Sequence, residues 1–314
     1  MLISNLLFFL IACTALVLSG NFVVRSLKKI AAFLKFSDFV IAFMIMAFST
    51  SLPELSVGIN AALAKNSELA LGNVIGSNIL DITLIIGIAV LLGRGIKVKS
   101  KTIKRDAWYM FIIALLPIIL MLDGKLSRID GTILIAAFLI YFIILLQERK
   151  EFRKAEDHVK KSTFVINIFI FAASLAALFF SADFVVKYAL LLSIDFALPA
   201  IFIGLFLVAI GTSLPELAFE TRAVLKKRGD MALGDAMGSV VFNSTGVLGV
   251  TALILPITAP LSLFLMSAIF MIMATFIFVV FIEGKRALTW KEGIALILFY
   301  IFFVFVEFYL RNYI

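Results

Sequence analysis

Residues 47–55 read Ala47-Phe48-Ser49-Thr50-Ser51-Leu52-Pro53-Glu54-Leu55, and residues 209–217 read Ala209-Ile210-Gly211-Thr212-Ser213-Leu214-Pro215-Glu216-Leu217, an ungapped match at an offset of 162 positions. The register persists beyond the motif: residues 70–77 answer 232–239, and residues 22–25 answer 184–187. A chain duplicated at this length is expected to fold as two similar halves, so that whatever the motif demands of one half it demands of the other.

Composition fixes the solvent. With 63% hydrophobic and only 15% charged residues over 314 positions, 33 of them Phe, the chain lacks the polar surface to cover a soluble globule. Its apolar runs are close to the roughly 20 residues that cross a bilayer as helix, and the alternation of a barrel strand is missing. The reading is an all-α membrane protein of ten spans, at residues 2–24, 38–64, 69–93, 107–122, 129–147, 163–187, 197–223, 231–255, 259–282 and 292–310. Residues 1–147 form the first five-span repeat, 148–161 a short charged linker with no room for a regulatory domain, and 162–314 the second repeat.

Basic residues sort onto alternate loops. Arg25 to Lys35, Arg94 to Arg105, Arg149 to Lys161, Arg222 to Arg228 and Lys285 to Lys291 share one side, against Lys65, Lys125, Arg128, Lys187 and Arg311 on the other. The crowded side is expected in the cytoplasm of a plasma membrane, with both termini outside. The net charge of +8 is then a topological signal. Scattered over short loops, it argues against a nucleic-acid partner, and the bilayer itself is the expected partner, with no obligatory protein partner evident. Five spans per half, an odd number, mean that the halves enter the membrane from opposite sides, related by an axis in the membrane plane. The box around Cys13 resembles a lipoprotein cleavage site, but no basic residue precedes it, and the segment is expected to stay as the first span. As the sole cysteine, Cys13 can form no intrachain disulfide.

The motif carries the chemistry. Proline inside a helix removes one backbone donor and displaces the carbonyl four residues back, that of Ser49 for Pro53 and of Gly211 for Pro215. In lipid such a carbonyl must be satisfied by something, and a dehydrated cation is one candidate. Thr50 and Ser51 stand four and three residues before Glu54, and Thr212 and Ser213 repeat the arrangement before Glu216, so helical geometry is expected to align hydroxyls and carboxylate on one face. In the following span of each half, Ser77 precedes Asp81 by four and Ser239 precedes Asn243 by four. Glycines 72, 76 and 87, echoed at 234, 238 and 249, allow close helix approach. Glu54, Glu216 and Asp81 gathered as bare anions would each cost several kcal/mol, so protons or cations must neutralise them. An all-oxygen donor set is hard and suits Ca²⁺ or alkali ions, whereas zinc and copper would want His or Cys. The only histidine, His158, falls in the charged linker. Two glutamates match one Ca²⁺ or two Na⁺, with a third Na⁺ matched by Asp81. Two loads that need the same carboxylates exclude one another, and with alternating access this is antiport.

At these residues the chain resembles the cation/calcium exchanger superfamily, in its prokaryotic sodium/calcium exchanger-like branch. The motif G-[ST]-S-x-P-E stands as Gly211-Thr212-Ser213-Leu214-Pro215-Glu216, with Phe48 and Ser49 as departures in the first half, and G-[ND]-x-x-G-S stands at residues 72–77 and 234–239. The resemblance implies a Ca²⁺ site on Glu54 and Glu216 with carbonyl help from Thr50 and Thr212. It implies flanking Na⁺ sites from Ala47, Ser51 and Ser77 and from Ala209, Ser213 and Ser239, with Asp81 and Asn243 completing the middle. Interrupted spans two, three, seven and eight would form the ion-binding core, and spans one and six the gating pair.

Asp235 and Glu220 depart from this pattern, standing where the first half has Asn73 and Gly58. A vestibule, a proton site and a structural charge paired near Arg222 all remain open for them. These acids, with Asp81, are the argument for the rival Ca²⁺/H⁺ exchanger, and K⁺ involvement is also open. A passive cation channel is less favoured by duplicated interrupted helices. No catalytic constellation points to an enzyme, and no cofactor is expected beyond the transported Ca²⁺ and Na⁺.

Overall fold

The computed structural model describes residues 2–33, 46–98, 101–148, 161–284 and 287–311. Helices account for nearly all of them: α1 (Leu2–Phe33), α2 (Met46–Thr50), α3 (Leu52–Leu63), α4 (Ser67–Leu92), α5 (Lys101–Leu120), α6 (Arg128–Glu148), α7 (Lys161–Asp195), α8 (Ala200–Thr212), α9 (Leu214–Leu225), α10 (Gly229–Ile254), α11 (Leu261–Gly284) and α12 (Trp290–Arg311). Eight of these are long and apolar enough to cross a membrane, or nine when the bent pair α8–α9 is counted as one, among the described residues. The start of the expected second span, residues 38–45, lies outside the described residues, as do Asp38 and residues 149–160 of the linker with His158.

Two boundaries differ from the sequence reading. Helix α1 runs on to Phe33 and α7 to Asp195, past the expected ends at 24 and 187. The charged residues that suggested an exit, Arg25 and Lys187 among them, sit on continuing helix, because a helix needs no change of backbone to pass from lipid into water.

Helices α4 and α10 form the centre. In their most apolar stretches 83% and 78% of residues are buried, against 11% in α7, which turns most of its side chains outward. They run antiparallel. Ser67, at the start of α4, donates to the Pro256 carbonyl just past the end of α10 (3.2 Å), while Gly229, which opens α10, lies so close to Ile96 that an added Cβ would sit 2.4 Å from its side chain. Four two-residue strands close the ends crosswise between the halves: β1 (Ile96–Lys97) pairs with β4 (Ala287–Leu288), and β2 (Lys125–Leu126) with β3 (Ile257–Thr258), both antiparallel. Each strand after a helix of one half is thus paired to a strand of the other half.

Glycines let backbones meet where α4 crosses α8. A Cβ on Gly72 would lie 2.0 Å from the Ile201 carbonyl oxygen, one on Gly76 2.1 Å from that of Leu205, and one on Gly204 2.3 Å from that of Leu69. Only hydrogen fits at these three positions; the sequence reading anticipated a close approach at Gly72 and Gly76 but did not include Gly204. Pro117 lies inside α5, which continues through it.

Candidate ion-binding site

Both motif prolines sit in the first turn of a new helix. The chain leaves α2 and enters α3 through Ser51 (φ −87°, ψ 8°), and it leaves α8 and enters α9 through Ser213 (φ −85°, ψ 7°), where the axis bends by 45°. Proline tolerates this position because its missing donor would be unpaired there in any case. The break places Glu54 and Glu216 each in the first turn of the following helix, where free N–H groups and the positive end of the helix dipole favour negative charge.

The two breaks adjoin. Both prolines lie against the same residue of α1, Gly20, on which a Cβ would stand 3.5 Å from Pro53 and 3.8 Å from Pro215. Across this junction the hydroxyls are exchanged between halves. Ser213 donates to Glu54 Oε1 (3.4 Å), and its counterpart Ser51 donates to Glu216 Oε1 (3.5 Å). A second exchange surrounds the first: Thr212 donates to Asn73 Oδ1 (3.1 Å), and Thr50 to Asp235 Oδ1 (3.4 Å). The sequence reading placed Ser51 on the face of its own Glu54. The interruption at Ser51 removes the regular turn that would align them, and the serine reaches the other half instead.

Two pairs of homologous contacts therefore obey the duplication, while a third does not. Ser77 Oγ stands 3.4 Å from both Glu54 Oε1 and Thr212 Oγ1, whereas its counterpart Ser239 makes no hydrogen bond. Asp81 and Asn243 each open a π-helical turn, Asp81–Ile85 and Asn243–Val247, inside α4 and α10. Such turns widen the helix locally and free carbonyls, a feature frequent at functional positions. The Ala209 carbonyl accepts from the Ser213 N–H (3.0 Å) and the Thr212 hydroxyl (3.3 Å). Ala47 lies in α2, and only its backbone is described.

Buried polar atoms without a partner, most of them oxygens, crowd this centre. Glu54 Oε2, Glu216 Oε2, both oxygens of Asp81, both of Glu220, Asp235 Oδ2, and both terminal atoms of Asn243 have none. The five acids are fully buried, at 0–1% exposure. The ion pairs Lys104–Glu283 and Arg105–Asp106 lie elsewhere. Among the described residues no three acidic, histidine or cysteine side chains converge as a ready-made metal cage. An occupant would be held by carboxylates with hydroxyls and carbonyls.

Three details correct or extend the sequence reading. Glu220 does not pair with Arg222; it is sealed inside with both oxygens unpartnered. Phe48, bulky for its place, packs its ring on Phe242 (centroids 4.7 Å apart), where the first half has Leu80. Asn73 was not singled out, although its equivalence to Asp235 was the available signal. Near the span ends, Asp130 accepts from the Ser127 N–H and hydroxyl as a cap, and Asp195 accepts from Asn5 (2.7 Å), joining the far ends of α1 and α7.

The family described as sodium/calcium exchanger protein matches residues 4–147 and 166–309, that is, both halves. The chain belongs to this family. It is a multi-pass membrane protein of an antiporter family that exchanges Ca²⁺ and Na⁺. The sodium/calcium exchanger MaX1 of Methanosarcina acetivorans is 29% identical over 99% of this chain and 100% of its own length, and the inner membrane protein YrbG of Escherichia coli is 33% identical over 69% and 70%. A solved structure of the sodium-calcium exchanger NCX_Mj superposes with a TM-score of 0.70 at 25% identity, covering 97% of this chain and 99% of that one.

Proposed function

We propose that this exchanger moves Ca²⁺ across the plasma membrane against Na⁺ by alternating access, with Glu54 and Glu216 as ligands shared by both loads. The observation that carries the reading is the crossed pair of contacts at the breaks, in which each glutamate takes one hydroxyl from the other half and leaves its second oxygen free. Two half-satisfied carboxylates from equivalent positions present a charge of minus two to whatever enters between them. One Ca²⁺ neutralises that charge, and so do two Na⁺.

In this reading Thr50 and Thr212 add oxygen donors for Ca²⁺. Ser51, Ser77 and Ala47, and Ser213, Ser239 and Ala209, flank it as Na⁺ positions, with Asp81 and Asn243 in the middle. Ten spans in two inverted repeats, both termini outside, complete the proposal. It is supported by the antiparallel course of α4 and α10 and by the crosswise pairing of β1 with β4 and β2 with β3, which an odd number of crossings per half would generate. The long pair α1 and α7, which pack together and of which α1 touches both breaks, are the proposed gating elements.

The test is ⁴⁵Ca²⁺ uptake into proteoliposomes. Wild type is expected to accumulate Ca²⁺ under an imposed Na⁺ gradient, and Glu54→Gln or Glu216→Gln to lose nearly all of it. Removing one member of a buried charge set costs about 2–5 kcal/mol, a loss of roughly thirtyfold or more. Normal exchange in both variants would refute the site. A second reading, Ca²⁺/H⁺ exchange, is favoured by the buried and unpartnered Asp81, Glu220 and Asp235; uptake driven by a pH gradient alone, without Na⁺, would select it.

A further inference from the structure

Glu220 and Asp235 stand outside the duplication. Their counterparts are Gly58 and Asn73, so the two acids belong to one half only. Glu220 lies one turn beyond Glu216 in α9, and Asp235 one turn before Ser239 in α10. The two helices pack together and are joined at residues 226–228, which sets both acids on the same side of the glutamate pair, toward that turn. The turn lies beside Ile96, at the far end of α4 from Ser67.

Neither acid has the partners of a structural charge. Glu220 is 0% exposed and neither of its oxygens has a hydrogen-bond donor; Asp235, also 0% exposed, takes only the long contact from Thr50 and leaves Oδ2 free. No Lys or Arg among the described residues forms an ion pair with either. The packing of α9 on α10 puts the two buried carboxylates on neighbouring turns, and in an interior that water cannot screen each costs several kcal/mol unless a positive charge joins it. Their combined charge equals that of the Glu54–Glu216 pair, and the donors on offer are again all oxygen.

We infer that Glu220 and Asp235 form a second binding position for a hard divalent cation of the Ca²⁺ class, one helical turn from the central pair and present on one side of it only. The inference rests on the exchange reading above, since it takes the same ion to be the one the central pair carries. An ion arriving from the 226–228 end meets this position first, while one arriving from the other end passes Gly58 and Asn73, which bear no charge. The two faces of the exchanger are thereby unequal although its halves are alike.

Equilibrium binding of ⁴⁵Ca²⁺ to the purified full-length chain in Na⁺-free detergent solution tests this. Wild type is expected to bind two Ca²⁺ per chain, and the isosteric variants Glu220→Gln, Asp235→Asn and their combination to bind one. In proteoliposomes of fixed orientation, the combined variant is expected to raise the Ca²⁺ concentration for half-maximal exchange by about fivefold or more from the 226–228 face, the scale of one lost charge-assisted contact, and to leave the opposite face unmoved. A single Ca²⁺ bound by wild type, an unchanged count in the variants, or equal shifts at both faces would overturn the inference. The wild-type count needs no variant to fold. Retention of both Ca²⁺ by Glu54→Gln and Glu216→Gln would instead overturn the central site, a separate result.

Discussion

Ser51 and Ser213 each sit at a helix break and each reach the glutamate of the opposite half, so their contributions are expected to be equal. At 3.4–3.5 Å the contacts are long, which places them at the low end of the roughly 1.5–3 kcal/mol typical of a hydrogen bond to a charged group. Ser51→Ala and Ser213→Ala should therefore weaken Ca²⁺ half-saturation by about tenfold each, measured as Ca²⁺-dependent exchange. A large loss in one and none in the other would show that the crossed pair does not act as a pair. Most of these residues were legible in the sequence, because repetition of Thr-Ser-Leu-Pro-Glu marked them twice. Their partners were not. Helical spacing assigned each serine to its own glutamate, and only the interruption at Ser51 and Ser213, a property of φ and ψ that a spacing argument presumes regular, redirects them. The burial of Glu220 was likewise hidden, since a nearby arginine in sequence gave it a plausible partner that the fold turns elsewhere.

At the scale of the element, the crossing of α4 over α8 rests on backbone against backbone. A methyl group at Gly76 would meet the Leu205 carbonyl oxygen at 2.1 Å and the Ala209 Cβ at 2.8 Å, so Gly76→Ala must push two helices apart. Overpacking of this kind costs about 1–3 kcal/mol, and more where backbone must move. Gly76→Ala is expected to lower the thermal midpoint in detergent by several degrees and, by spreading the helices that hold Ser77 and Thr212, to weaken Ca²⁺ exchange as well. Gly284→Ala is the control, because nothing lies within 4 Å of an added Cβ there and its backbone is not in the positive-φ region. The sequence announced the close approach through the spacing of its glycines and located the cores of the spans. It did not reveal the π-helical turns opening at Asp81 and Asn243, because an extra residue in a turn leaves composition and periodicity almost unchanged over so few positions.

For the whole molecule, binding and transport follow from charge. If one Ca²⁺ seats between the two glutamates, the folded state gains about 2.7 kcal/mol at a hundredfold excess over the dissociation constant. Thermal unfolding should accordingly shift upward on Ca²⁺ addition in wild type and by clearly less in Glu216→Gln, where only the Glu220–Asp235 position is left to bind. If three Na⁺ return for each Ca²⁺, one net charge crosses per cycle, and a membrane potential contributes roughly 2.3 kcal/mol per 100 mV. Imposing a K⁺-valinomycin potential across proteoliposomes should then change the exchange rate with a sign set by its polarity, and an electroneutral exchange would show none. One small residue bears on how such a cycle could run. Gly20 of α1 rests against Pro53 and Pro215 together. A lever that bears on two fulcrums at once cannot tip over one without lifting from the other, so a bulky side chain at that spot would be expected to jam the rocking of both halves together and leave neither mouth able to open alone.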